Sequence, residues 1–253
     1  MNLPESKTVI VEHSNKKVYD LGDKIAKVFN SNKPASDVFN EALNLARANE
    51  AGINTPKPVS VAKIEDSWAL TTTRIPGKTL QELMDENPEK IEKYLMMFVD
   101  FQIDIHAYRA PLLQRQKDKY SRMIASLTDV LDATTRYELD MRLDGMPNEV
   151  DVCHGDFNPS NVIVGDDGEL YACDWAHATQ GSAAADAAIS YMLFEMEDHE
   201  LAQKYLDLYC KKSDTPRQVV HNWLSIVAAA ELSRGREKDY DFMMSWIDVV
   251  DYQ

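Results

Sequence analysis

The chain has 253 residues, 44% of them hydrophobic and 27% charged, with 9 glycines and 10 prolines. It is long enough to bury a core without disulfides or a structural metal, and its balance excludes collagenous or low-complexity character. The 27 basic and 42 acidic side chains give a formal charge of −15, a field that repels phosphate backbones and anionic membranes and attracts cationic small molecules, while also serving solubility.

In chain order, Thr8–Glu12, Lys17–Leu21 and Lys24–Phe29 are β-branched or alternating runs, parted by Ser14-Asn15-Lys16 and Gly22-Asp23, and predict a meander of strands. Phe39, Leu43 and Ala46 recur at helical spacing through Phe39–Asn49, which ends at Ala51-Gly52 as helices often do. Beyond Pro56 and Pro58, Val59–Ile64 and Trp68–Thr73 are two more strands around Glu65-Asp66-Ser67. Arg74-Ile75-Pro76-Gly77 breaks this β-rich pattern, and helices dominate the rest of the chain. Asn87-Pro88 reads as an N-cap and N1 pair ahead of Ile91, Tyr94, Leu95, Phe98, Ile105 and Tyr108 at helical spacing. Further helices are predicted over 116–133, 135–144, 182–196, 198–212, 216–234 and 237–250, the penultimate opened by Thr215-Pro216-Arg217-Gln218 as a capping box. Val150–Cys153, Asn161–Val164 and Leu170–Cys173 form an island of short strands, the last two joined by the turn Gly165-Asp166-Asp167-Gly168.

Cys153, Cys173 and Cys210 are an odd number without C-x-x-C spacing, which fits neither a disulfide framework nor a zinc site and predicts a reducing, cytoplasmic home. Met1–Val11 has no basic patch followed by a long apolar run, so no secretory signal is expected. The most apolar stretch, Trp223–Leu232, is interrupted by Ser225 and Glu231 and falls far short of the roughly 20 residues of a membrane span. Neither nucleic acid nor membrane is an expected partner.

The informative segment is His154-Gly155-Asp156-Phe157-Asn158-Pro159-Ser160-Asn161, followed after the hairpin by Asp174-Trp175. A carboxylate five positions before a carboxamide, with a second carboxylate on the next strand, converges oxygen ligands and bases on one point. Hard oxygens suit Mg²⁺, which takes one or two side chains and completes its shell with waters and substrate phosphates. That is an architecture for phosphoryl transfer. As plain structure, the same Asp and Asn residues would satisfy loop amides in a turn network.

The H-G-D-x-x-x-x-N plus D-W pattern resembles the aminoglycoside phosphotransferase and choline kinase-like group, small-molecule kinases with a protein kinase-like, two-lobed α+β fold, and the resemblance extends over most of the chain. It implies a nucleotide-binding lobe over 1–73, a hinge over 74–80 and a helical catalytic and substrate-binding lobe over 81–253. It also implies that Asp156 orients the acceptor hydroxyl and takes its proton, that Asn161 and Asp174 hold Mg²⁺, and that His154 and Asp186 brace the catalytic loop. Lys27 matches the lysine on the α- and β-phosphates and Glu41 its ion-pair partner on the helix, with Lys24 and Glu50 as rivals. Arg74 and Ile75 open the segment whose backbone reads adenine or guanine. His106 is expected as a satisfied interior residue, and His177 is given no role.

Two features depart from protein kinases. No G-x-G-x-x-G precedes Lys27, which leaves Ser14-Asn15-Lys16 to clamp phosphate, and only eleven residues separate Asp174 from Asp186, with no A-P-E after them. The resulting expectation is an ATP- or GTP-dependent, Mg²⁺-dependent kinase for a hydroxyl of a small, cationic acceptor. A catalytically weak nucleotide-binding scaffold and a nucleotide-independent, metal-dependent hydrolase are the alternatives. Glu195, Glu197, Asp198, Glu200, Asp239, Asp241, Asp248 and Asp251 would favour an amino sugar or polyamine, and Trp175, Tyr191, Trp223 and Trp246 a quaternary ammonium. As plain structure, the two sets are a solvated acidic face and aromatic core.

Overall fold

The computed structural model describes residues 7–12, 15–235 and 239–247; Ser14, Asp248, Asp251 and part of the helix expected over 237–250 lie outside them. The chain divides into two compact units, Met1–Asn87 with Pro159–His177, and Pro88–Asn158 with Ala178–Gln253.

The first unit is built on an antiparallel sheet of β1 (Thr8–Glu12), β2 (Lys16–Asp20), β3 (Lys24–Phe29), β4 (Pro58–Ile64) and β5 (Ser67–Thr73) in the order β1-β2-β3-β5-β4. The expected meander is therefore present, with β5 rather than β4 beside β3. The turn between β4 and β5 is tighter than expected, since Ile64 pairs with Ser67 and Glu65 takes a φ of +53°. Helix α1 (Ala35–Glu50) starts four residues before the expected Phe39. Its buried Val38, Glu41, Leu45 and Ala48 recur at helical spacing, so the stripe that packs Val38 against Phe29 and Leu70 also carries Glu41 inward. The helix ends as expected at Gly52, whose φ is +92°, with Gly52 N–H donating to Asn49 O and Ile53 N–H to Ala48 O, the paired bonds of a Schellman motif.

Two elements go beyond the sequence reading. Strand β6 (Gly77–Thr79) pairs with β8 (Val162–Gly165), which pairs in turn with β9 (Leu170–Ala172). Helix α2 (Leu80–Glu86) opens on a capping box in which Thr79 Oγ1 accepts from Glu82 N–H and Glu82 Oε2 from Thr79 N–H. The signal, Thr79-Leu80-Gln81-Glu82, was present in the sequence. Asn87 caps the C-terminus of α2 rather than opening the next helix, because Pro88–Lys90 forms a short 3₁₀ turn.

The second unit holds α3 (Ile91–Ala107), α4 (Gln116–Ala125), α5 (Ala133–Gly145), β7 (Asp151–Cys153), β10 (Thr179–Gly181), α6 (Ala183–Glu195), α7 (His199–Ser213), α8 (Arg217–His221), α9 (Leu224–Leu232) and α10 (Tyr240–Ile247). β10 pairs antiparallel with β7 and was not expected. α6 and α9 are apolar on nearly every face and form the buried centre. The helix predicted over 116–133 stops at Ala125, and Asp132 caps α5 by accepting from Thr135 N–H. The helix predicted over 216–234 breaks at Asn222-Trp223, and the capping box at Thr215 does not form. Pro216 holds Thr215 away from the helical region and itself occupies the N-cap, where it has no side-chain acceptor to offer.

Gly77 has a φ of +151°, and a Cβ there would sit 2.1 Å from Val164 O. Gly77→Ala is expected to destabilise the protein by about 2 kcal/mol or more by forcing β6 off β8, measured as a lowered midpoint of urea unfolding; an unchanged midpoint would show that this pairing is dispensable.

Candidate functional site

Alternation along β2 and β3 turns Lys16, Val18, Ile25 and Lys27 to one face of the sheet, where they line a cavity of about 630 Å³ within the first unit. The buried stripe of α1 brings Glu41 into the same space. Lys27 Nζ lies 2.5 Å from Glu41 Oε1 and 2.8 Å from Asp174 Oδ1. Lys24, by contrast, points to Asp23 at 3.6 Å, and Glu50 is exposed, so neither rival enters this network.

The β8–β9 hairpin supplies the opposite wall. Cys173 N–H donates to Asn161 O at 2.8 Å, closing the open end of the hairpin, and Asn161 and Asp174 line the one cavity. Asp174 has a φ of +63°, a left-handed conformation uncommon for a residue with a Cβ and maintained only where its surroundings dictate it. After it, Trp175 O accepts from Asn44 Nδ2 of α1 at 3.2 Å. Arg74 and Ile75 also line the cavity, with Arg74 Nε 3.3 Å from Asp20 Oδ2.

Sequence reading overlooked how directly Lys16 participates. Its Nζ lies 2.8 Å from Asp174 Oδ2, so ammonium groups hold both oxygens of that carboxylate. Burial works against the charge on Asp174, yet Lys27 and Lys16 outweigh it and hold the carboxyl well below the usual range. Burial likewise opposes the Lys27 ammonium, and Asp174 and Glu41 reverse the effect and raise its pKa. Asp174 and Lys27 thus each favour the charged form of the other, while burial raises the Glu41 carboxyl against the pull of Lys27. Next to it, burial and the Asp174 charge push the Cys173 thiol up to about 12.

Among the described residues, no group of three or more His, Cys, Asp or Glu side chains is placed to hold a metal. A carboxylate and a carboxamide, Asp174 and Asn161, nevertheless offer hard oxygen donors in one open cavity. This donor set fits Mg²⁺ completed by waters and phosphate oxygens, and not a closed protein cage.

Six of the predicted site residues, Lys27, Glu41, Arg74, Ile75, Asn161 and Asp174, lie in the first unit, and Asp156 lies in the second. There the backbone of its loop is fixed by a buried carboxylate. Asp186, fully buried, accepts from Gly155 N–H at 2.6 Å and from His154 N–H at 3.1 Å, and its Oδ2 lies 3.0 Å from His106 Nε2. Asp186 and His106 thus have the bracing and interior places expected of them. Arg234, which sequence reading missed, donates to Gly155 O at 2.8 Å and pairs with Glu231 at 2.9 Å. A second cavity of about 560 Å³, between α4, α5 and β10, contains none of the predicted site residues.

The acidic and aromatic sets have largely structural places. Glu195 accepts from Tyr191 Oη and from Gln203 Nε2, and lies 2.7 Å from His199 Nδ1, while Asp198 caps α7. Glu197 and Glu200 are exposed. Trp175 and Trp223 are each 1% exposed, so they offer no open face to a dissolved cation; Tyr191 and Trp246 meet edge to face at 6.1 Å.

Residues 7–219 match the phosphotransferase enzyme family. No curated protein matches the sequence. Among solved structures, aminoglycoside phosphotransferase APH(4)-Ia is similar with a TM-score of 0.72 and 17% identity, over 97% of this chain and 92% of that one. A thermostable mutant of that protein forms a ternary complex with ADP and hygromycin B. A choline/ethanolamine kinase family protein from Mesorhizobium loti has a TM-score of 0.60 and 13% identity, over 97% and 89% of the two chains. Choline kinase LicA from Streptococcus pneumoniae has a TM-score of 0.57 and 16% identity, over 96% and 92%. At such identities the likeness establishes a fold, and it is the kinase-like α+β fold that the motif implied. Among the described residues no helix is long and apolar enough to cross a membrane.

Burial opposes the charge on Asp186, but His106, His154 and the Gly155 amide outweigh it and lower its pKa. A depressed carboxyl stabilises the fold fully above the ordinary pKa of about 4 and ceases to do so as pH falls through the lower folded value. Asp186→Asn is therefore expected to cost about 3 kcal/mol at neutral pH, with the gap to wild type narrowing below about pH 4. Urea unfolding of both proteins across pH checks this, and a gap that widens in acid would contradict it.

Proposed function

The chain belongs to the phosphotransferase enzyme family, and we propose on that premise that it moves the γ-phosphate of ATP or GTP to a hydroxyl of a small molecule such as an aminoglycoside, choline or a related metabolite. The observation that carries this reading is the Lys27 ammonium held between Glu41 and Asp174 in a cavity that Asn161 also lines. In chain order, residues 1–73 form the nucleotide-binding part, 74–80 a hinge, and 81–253 the catalytic and acceptor-binding part.

Lys27, steadied by Glu41, binds the α- and β-phosphates, and the backbone at Arg74 and Ile75 reads the base. Asp174 and Asn161 would hold Mg²⁺, which would neutralise charge on the phosphates. Asp156 orients the acceptor hydroxyl and accepts its proton. The acceptor oxygen forms a bond to the γ-phosphorus as the bond from that phosphorus to the β,γ-bridging oxygen breaks, and the nucleoside diphosphate leaves with the electron pair. Because the transition state is loose and proton removal is late, a positioned aspartate suffices. Positioning and charge neutralisation carry most of the rate. The formal charge of −15 favours a cationic acceptor, and the complex of the APH(4)-Ia mutant with ADP and hygromycin B supports a nucleotide and a small molecule as the two substrates.

Asp156→Ala is expected to abolish transfer while leaving nucleotide affinity within about twofold, because its carboxylate acts on the acceptor and not on the nucleotide. The measurement is phosphate transfer with Mg²⁺ over a panel of aminoglycosides, choline, homoserine, thiamine and sugars, alongside nucleotide titration. Normal turnover in the variant would refute the assignment. Wild-type protein that binds nucleotide but transfers to no acceptor would favour a scaffold, and activity without nucleotide a hydrolase.

A further inference from the structure

The two lysines at the start of β2 have opposite fates. Lys17 faces away from the cavity and pairs with Glu12 at 2.8 Å, whereas Lys16 and Val18 face into it. Lys16 is 20% exposed, and among the described residues its ion pair is with Asp174 alone. Lys27 also pairs with Glu41, whereas among the described residues Lys16 has its ion pair with Asp174 and feels the Glu41 charge only at longer range. The four groups, two ammonium and two carboxylate, balance one another in formal charge, and a triphosphate with its divalent cation draws the ammoniums to itself.

The sequence between β1 and β2 shows why such a group is needed. Phosphates are commonly cradled by backbone amides of a glycine-rich loop, but residues 12–18, Glu-His-Ser-Asn-Lys-Lys-Val, contain no glycine. A side-chain ammonium on β2, the strand that follows this segment, supplies positive charge that such amides would otherwise provide.

We propose that Lys16 is a phosphate-positioning residue that occupies Asp174 Oδ2 in the absence of nucleotide and moves to the β- or γ-phosphate once Asp174 engages the divalent cation, a role that rests on the kinase reading above. Lys16 thereby serves in turn as stand-in for the cation and as replacement for a glycine-rich loop. Two consequences distinguish it from a merely structural ion pair. Its loss weakens binding of phosphates but not of the nucleoside, and it opens Asp174 to a metal ion in the absence of nucleotide.

The test titrates wild type, Lys16→Gln and Lys16→Arg with ATP and GTP in the presence of Mg²⁺, with adenosine and guanosine, and with Mn²⁺ alone followed by its paramagnetic resonance. Lys16→Gln is expected to bind the preferred triphosphate roughly tenfold to a hundredfold more weakly, the range of a charge-assisted hydrogen bond. The matching nucleoside should bind it as it binds wild type, and Mn²⁺ alone should bind it more tightly. Lys16→Arg should recover most of the triphosphate affinity. Equal loss for triphosphate and nucleoside, or unchanged triphosphate affinity with unchanged Mn²⁺ binding, overturns the role of Lys16 and leaves the kinase reading standing. Wild-type protein that binds neither ATP nor GTP overturns both.

Discussion

Burying an ammonium group costs several kcal/mol unless opposite charge accompanies it, and the first unit provides that charge twice for Lys27, from Glu41 on α1 and from Asp174 after β9. Meeting that requirement constrains much else. The register of β2 against β3 must turn Lys16 and Lys27 to one face, α1 must point its buried stripe at the sheet with Glu41 inside, and the chain must return at residues 159–177 to deliver Asp174. The left-handed backbone at Asp174 belongs to the same arrangement, because a strained conformation persists only where its surroundings over-determine it.

The second unit solves a related problem with the signs exchanged. Asp186 is a fully buried carboxylate, satisfied by two backbone amides and a histidine instead of a lysine, and so it fixes the course of the main chain through His154 and Gly155. Arg234 secures the same segment from the carbonyl side at Gly155 O. A loop whose N–H and C=O groups are both anchored to buried charge has little freedom.

The excess of acidic residues divides between surface and interior work. Asp132 and Asp198 cap helices, Glu195 gathers Tyr191, Gln203 and His199, and Asp167 accepts from Tyr171 Oη within the β8–β9 hairpin. Charge counted along the chain therefore overstated the acidity available to a ligand. The aromatic residues divide in the same way, since Trp175 and Trp223 are core side chains.

Sequence alone determined the parts of this protein that depend on short-range chemistry: the alternation of β1 to β5, the helical stripe of α1 and its Gly52 stop, the hairpin at Gly165–Gly168, and the spacing from Asp156 to Asn161 and Asp174. Only the tertiary structure decided that Lys16, and not Lys17, joins the site, because a period of two fixes which residues share a face without saying which face is enclosed. Long-range pairing was equally illegible, as with β6 on β8, β10 on β7 and Arg234 on Gly155. Each joins segments whose local sequence gives no sign of its partner, and the energy that holds them appears only when the chain brings them together.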